Sequence, residues 1–285
     1  MLLRFNPFRV FDASKSPAGI YARRKWLGEE GAPGFKRDFD EACSRLFAGQ
    51  DRGGSWDNSV LTTIRRLFGL HLTVRDATPE IQKGLDWLME RMDSAGRGMR
   101  EDVRNEITSK ALRGLPFTRG RPDLLLCGAT LFLCSIFGRE NDEDVVKAYE
   151  WLADDVFRKD NRWCGWSCSN NVLRAFVVHP HYSGSTQTTK AVQALGRVQD
   201  AFGKWPHGVP FYQTVNALAH LDSKAARIQL EPAFKRVCHT QNRDGSWGRS
   251  DREWNTFLII HALKNKGCQV VAPYPENKQI HIVDH

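Results

Sequence analysis

Residues Gln241–Leu263 read QNRDGSWGRSDREWNTFLIIHAL. A polar turn holding one Gln, two Gly and one Trp runs directly into an apolar helical segment. The stretch Gln50–Leu70, QDRGGSWDNSVLTTIRRLFGL, repeats that arrangement. Aligning on the residue four before the Gln position extends the series to Leu46, Leu88, Leu152, Leu195 and Val237, spaced by 42, 64, 43 and 42 residues. Five units therefore share one period of a length typical of stacked helical repeats. The second unit carries roughly 22 extra residues within 93–121.

Each unit opens on a segment that mixes apolar and charged residues at helical spacing, such as KGLDWL from Lys83, KAYEWL from Lys147 and KAVQAL from Lys190. These predict helices with one wet face. The second segment of each unit is apolar on more than one side: Ser59–Leu72, Asp123–Phe137, Ser169–Val178, Phe211–Leu221 and Glu253–Leu263. A helix apolar nearly all round must be enclosed by others. The pattern predicts outer amphipathic helices alternating with inner buried ones, each pair stacking on the next because no pair can cover its own apolar surface. In the turns, Gly permits the left-handed backbone that ends a helix, and Gln can bond carbonyls left open at the outer helix terminus. Trp56, Trp163, Trp205 and Trp247 supply apolar plates between pairs.

The Leu-x3-Gln then Gly-x-Trp pattern at Leu195–Trp205 and Val237–Trp247, matched at Leu46–Trp56, resembles the QW repeat of squalene-hopene cyclases and related triterpene cyclases. Unit three keeps Trp163 with Val156 in the Gln position, and unit two has Met92 and no Trp. The resemblance covers about residues 40–265. It implies an all-α fold, the α/α toroid shared by these cyclases and the β subunits of protein prenyltransferases. It further implies a cavity ringed by inner helices that accepts an isoprenoid or related lipid. Aromatic faces suit such a cavity because they stabilise a carbocation without offering a nucleophile. Trp166, Tyr212 and Trp254 stand near the starts of inner helices, where the family lines its cavity.

Protonation-type cyclases carry Asp-x-Asp-Asp at the start of an inner helix, and this chain has no such sequence. Asn170 and Asn171, in CSNNV, occupy the corresponding place in unit three. An amide hydrogen-bonds well but cannot deliver a proton to an alkene. Asp251 and Glu253 are the only acids at the equivalent place in unit five and are the candidate catalytic residues. The alternatives are a lipid-binding or scaffold toroid that has lost its acid, and a zinc-dependent transferase.

The zinc reading would draw on Cys164, Cys168, Cys238 and His239, suitable ligand types, but the local zinc motifs of prenyltransferases and lanthionine-forming cyclases are absent. No metal and no cofactor are assigned. DDVFRKD at Asp154–Asp160 superficially matches a magnesium–diphosphate motif, yet it falls on the end of an outer helix without a second acidic partner and reads as solvated surface. Arg119 and Arg121, in the unit-two insertion, precede a buried helix and are candidates to clamp a diphosphate. Asp102–Leu112 in the same insertion is expected to form a short helix.

The chain has 285 residues, of which 41% are hydrophobic and 26% charged, with a formal charge of +8. The excess charge is scattered and accompanies no nucleic-acid motif, so no nucleic-acid partner is expected. The longest apolar run, Leu124–Phe137, falls short of the ~20 residues of a membrane span. No signal peptide is evident, and seven cysteines without a dense pattern point to a reducing cytoplasm. Residues 1–38, with LLRFNPFRVF and IYARRKWLG, are expected to cap the stack or to touch an anionic membrane surface. The toroid is assigned to 39–267 and a tail to 268–285. A second toroid chain or a homodimer is expected to complete the cavity, because the family's cyclases build their site from two barrels.

Overall fold

The computed structural model describes residues 3–92, 99–100, 108–158 and 160–270. The described residues form eleven α-helices and no strand longer than an isolated bridge. Five helices have one buried stripe and lie outside: α2 (Phe35–Phe47), α4 (Pro79–Met89), α6 (Glu143–Arg158), α8 (Thr186–Arg197) and α10 (Lys224–His239). In α2 the buried positions are Phe35, Asp38, Ala42 and Leu46, one residue per turn. Five others are enclosed: α3 (Val60–Thr73), α5 (Pro122–Ile136), α7 (Trp166–Phe176), α9 (Phe211–Leu218) and α11 (Arg252–Asn265). Every residue of α5 from Leu124 to Cys134 is buried. The inner segments expected from periodicity thus correspond to α3, α5, α7, α9 and α11.

Local chemistry starts these helices where the sequence places its capping residues. Ser59, Thr78, Ser185 and Ser223 each accept a hydrogen bond from the backbone N–H three residues on. Pro79 and Pro122 occupy first-turn positions, where a missing N–H costs nothing.

A sixth inner helix comes from the N-terminal segment. Helix α1 (Pro17–Lys25) packs against both α3 and α11, and the inner helices run as neighbours α1–α3–α5–α7–α9–α11 before returning to α1. The result is a closed two-layer ring, an α/α toroid. Its inner layer holds six helices where the repeat count alone gave five.

The Gln of the repeat pins one unit to the next. Gln50 Nε2 donates to Gly54 O in its own turn and to Glu80 O at the start of α4. Gln199 Nε2 donates to Gly203 O and to Gln229 O in α10. The partner carbonyl therefore belongs to the following outer helix rather than to the end of the preceding one. Gln241 Nε2 donates to Gly245 O and to Phe5 O. The extended N-terminal segment stands where another outer helix would begin, and the ring closes through it. Gly245 shows how close this approach is: its φ is +87°, and a Cβ there would lie 2.0 Å from Asn6 O.

The repeated Trp residues are fully enclosed, Trp163 and Trp247 to 0% exposure. Trp163 Nε1 donates to Leu152 O and Trp247 Nε1 to Val237 O, in each case the residue four before the Gln position of the repeat. These two indoles tie the turn to their own outer helix, whereas the Nε1 atoms of Trp56 and Trp205 are buried without a partner and those rings act by packing alone. Among the described residues no helix is long and apolar enough to cross a membrane.

Candidate functional site

Among the described residues two cavities open inside the ring, and Arg113–Pro116 run between them. The larger, about 530 Å3, is bounded by Ser16–Ala18 at the start of α1, by Phe68, Gly69 and Leu72 of α3, by Arg113–Leu115, and by Asp251–Trp254 at the start of α11. The smaller, about 340 Å3, draws its lining from all six inner helices, mostly from the C-terminal halves of α3, α5, α7, α9 and α11. Phe68, Leu72 and Trp254 belong to both walls.

The dividing segment is held from several sides. Trp254 Nε1 donates to Leu115 O at 3.0 Å. The Arg65 guanidinium donates to Arg113 O at 2.7 Å and to Ala111 O. Phe117 is buried against Phe68 and Phe132. Asn171 reads the backbone of Thr118 in both directions, accepting from its N–H and donating to its carbonyl, each at 2.7 Å. Of the short helix expected at Asp102–Leu112, residues 102–107 lie outside the described residues, and 109–114 form turns.

Asp251 and Glu253 both reach the larger cavity. Asp251 adopts a left-handed backbone (φ +49°) and pairs with Arg113 at 3.4 Å. Glu253 is met by the hydroxyls of Ser14, at 3.0 Å, and Ser16. Trp254 presents its ring there, stacked on Phe257 with centroids 5.1 Å apart. The other candidates are dispersed. Asn170 is buried between helices, its amide donating to Thr214 Oγ1. Trp166 lies under the Arg162 guanidinium at the start of α7, and Tyr212 faces a surface cleft with Trp205 and Arg236. Arg121 is exposed and paired with Asp123 at 2.6 Å, and Arg119 is exposed. Neither arginine lines either cavity.

Cys164 and Cys168 flank the start of α7, whereas Cys238 and His239 lie on the outer helix α10. Among the described residues no cluster of three metal-ligating side chains occurs. Of the Asp154–Asp160 motif, Asp154–Arg158 end the outer helix α6, and Lys159 lies outside the described residues.

The smaller cavity contains residues that sequence reasoning missed. His71, His220 and His261 line it beside Arg174, Asn216, Arg75 and Asn265. Burial first, then the neighbouring Arg75 and His261, pushes His71 down to about 3. Burial and then Arg174 push His261 down to about 4, and burial followed by His261 holds His220 well below the usual histidine range. A signal for them exists in the repeat register. His71 and His220 stand 15 residues after Trp56 and Trp205, and His261 stands 14 after Trp247. Val178 of the same cavity stands 15 after Trp163.

Comparison with known proteins places this geometry. No protein-family model matches the chain. The ent-copalyl diphosphate synthase of Streptomyces sp. (strain KO-3988) is 27% identical over 182 residues, covering 58% of this chain and 35% of that protein. The chain thus spans about a third of the curated relative it matches. A crystal structure of a protein from Actinoplanes aligns with a TM-score of 0.59 at 15% identity, covering 92% of this chain and 90% of that one. The type II terpene cyclase MstE from Scytonema, in a substituted form holding geranylgeranyl dihydroxybenzoate as substrate, aligns with a TM-score of 0.59 at 11% identity, covering 88% and 86%. Another substituted form of it, holding merosterolic acid A as product, aligns with a TM-score of 0.55 at 12% identity over the same shares. By its ring of inner helices and these alignments, the chain carries the helical toroid of the type II terpene cyclases.

Proposed function

We propose that this toroid holds an isoprenoid or related lipid in its interior, as the terpene cyclases of the same fold do. The observation that carries this reading is the larger cavity, walled by Phe68, Leu72, Leu115 and Trp254, with arginines around it and with Asp251 and Glu253 as the carboxyl groups among its described lining residues. Apolar and aromatic walls with a few polar groups are what a hydrocarbon guest requires. For turnover, the reaction is a cyclisation or rearrangement begun by proton delivery to an alkene. Asp251 or Glu253 supplies the proton, and the face of Trp254 stabilises the cation.

A second reading, binding without turnover, draws on the contacts of Asn170 and Asn171. At the place of the missing carboxylates, Asn171 exchanges two hydrogen bonds with the Thr118 backbone and Asn170 donates to Thr214, its Oδ1 buried without a partner. Three finer assignments accompany the lipid reading: a second toroid chain or homodimer, contact with a membrane surface, and a cytoplasmic location. Phe202, 78% exposed at a turn, offers an apolar contact for either surface. All seven cysteines are free, in keeping with a reducing compartment.

The test is native mass spectrometry of protein taken from its own cells, followed by incubation with squalene and with prenyl diphosphates and product analysis. A co-purifying lipid together with a cyclised product supports the enzyme. Lipid without product supports the binding protein. Neither lipid nor product overturns the proposal. Unchanged product formation by both Asp251→Asn and Glu253→Gln removes these residues from the acid role.

A further inference from the structure

The smaller cavity has a chemistry that a hydrocarbon does not explain. Arg174 is 2% exposed and forms part of its wall. The hydrogen bonds of its guanidinium go to neutral acceptors, Asn216 Oδ1 at 2.5 Å and Gln213 O at 2.8 Å, and its Nε–H has no partner. No ion pair to Arg174 occurs among the described residues, and no Asp or Glu lines the cavity. A buried charge is ordinarily paired, because desolvation without a counter-charge is costly. Here the counter-charge is missing beside an empty space of about 340 Å3.

The surrounding groups are suited to supply what is absent. Asn216 Nδ2 lies 3.2 Å from His261 Nδ1, and Asn265 Nδ2 lies 3.4 Å from the same atom. With two amide donors turned to Nδ1, the neutral ring carries its proton on Nε2 and remains a donor there. His220 lies against His261 with ring centroids 5.4 Å apart. At the rim, Arg75 is exposed and stands over the Tyr21 ring. A second positive charge thus stands at the entrance.

We propose that this cavity is an anion site. It takes the carboxylate or phosphate-class group of a small ligand, which enters past Arg75 and rests against Arg174, His220 and His261. The inference goes beyond the lipid reading and is independent of it. The site stands on its own residues whether or not a hydrocarbon occupies the larger cavity.

Calorimetric titration of the full chain at neutral pH tests it, with inorganic phosphate, inorganic diphosphate, hexanoate and, as the neutral control, hexanol. The expected result is saturable one-to-one binding of an anion at least tenfold tighter than hexanol, and the tighter arm identifies phosphate or carboxylate. Asn216→Asp places a carboxylate at the Arg174 contact and is expected to weaken the anion at least tenfold. Failure of every anion to bind, or hexanol binding as well as the anions, overturns the proposal. So does a folded Asn216→Asp variant that binds unchanged, which assigns the anion to the basic surface. If that variant does not fold, Arg75→Gln replaces it at the exposed rim. A weakened anion with unchanged hexanol binding is then expected, and an unchanged anion counts against the site. None of these outcomes depends on whether an isoprenoid binds.

Discussion

Gln241 holds Phe5 across 236 residues of sequence: its Oε1 accepts the Phe5 N–H at 3.0 Å and its Nε2 donates to the Phe5 carbonyl at 2.9 Å. The same side chain also accepts from Arg4 N and donates to Gly245 O. Gln241→Leu leaves the buried Gly245 carbonyl and the part-buried Phe5 N–H and carbonyl without their partner, where a fully buried group would cost about 1–3 kcal/mol and a part-buried one less. The expected loss is about 3 kcal/mol, read from urea denaturation, and larger than for Gln50→Leu, whose amide joins units already continuous in sequence. Equal losses for the two variants would refute a special role in closure.

Gly245→Ala tests the same seam through sterics. The new methyl meets Asn6 O on a backbone with φ +87°. Strain at such a position costs about 1–3 kcal/mol, and the collision must be added to it. We expect a lowered thermal midpoint together with faster proteolysis N-terminal to Pro17. Gly28→Ala, also at positive φ but with open space around the site, controls for backbone strain alone.

Asn171→Leu removes both bonds to the Thr118 backbone. Buried hydrogen bonds of this kind contribute about 1 kcal/mol each, so a loss of about 2 kcal/mol is expected. The more informative reading is limited trypsin digestion. Cleavage after Arg113 or Arg119 is expected to accelerate, because the segment dividing the two cavities has lost its clamp. Unchanged digestion would show that Trp254 and Arg65 suffice to hold it.

The half-buried histidines of the smaller cavity set a pH dependence. Their folded-state pKa values lie below the unfolded value near 6.5, so between about pH 6.5 and 4 the unfolded chain binds more protons. Stability is therefore full above that range and falls as the pH falls through it. One proton sets a ceiling of about 1.4 kcal/mol per pH unit for each histidine. Denaturation at pH 7 and pH 5 should show a loss of about 2 kcal/mol or more, reduced in a His71→Phe, His261→Phe double variant. A bound anion favours the protonated rings and should shrink the loss in the wild type.

The inner helices were readable because burial on all sides leaves a compositional mark, seen in FLIIHAL and in Leu124–Phe137. The turns were readable because Gly and Trp recur at one spacing. Helix α1 was not readable as an inner element, since IYARRKWLG carries three cationic residues in a row. Those charges are accommodated individually: Arg23 is buried against Glu29 at 2.7 Å and Asp38 at 3.0 Å, and Arg24 donates to Thr73 O. Such pairing is tertiary and leaves no local periodicity. The candidate site was legible in part. Asp251, Glu253 and Trp254 follow from their place at an inner helix start. The histidine–arginine cavity assembles single residues from distant units, and only the histidines' offset of 14 or 15 residues from the repeat Trp marks them.

Because the N-terminal segment takes the last place in the circle, the number of repeats cannot drift as it does in open solenoids, where a duplicated module simply lengthens the rod. An added hairpin would have to force the circle apart. Variation in this architecture must instead enter through its connections, as where Arg113–Pro116, ahead of the second inner helix of the repeat series, stand between the two cavities.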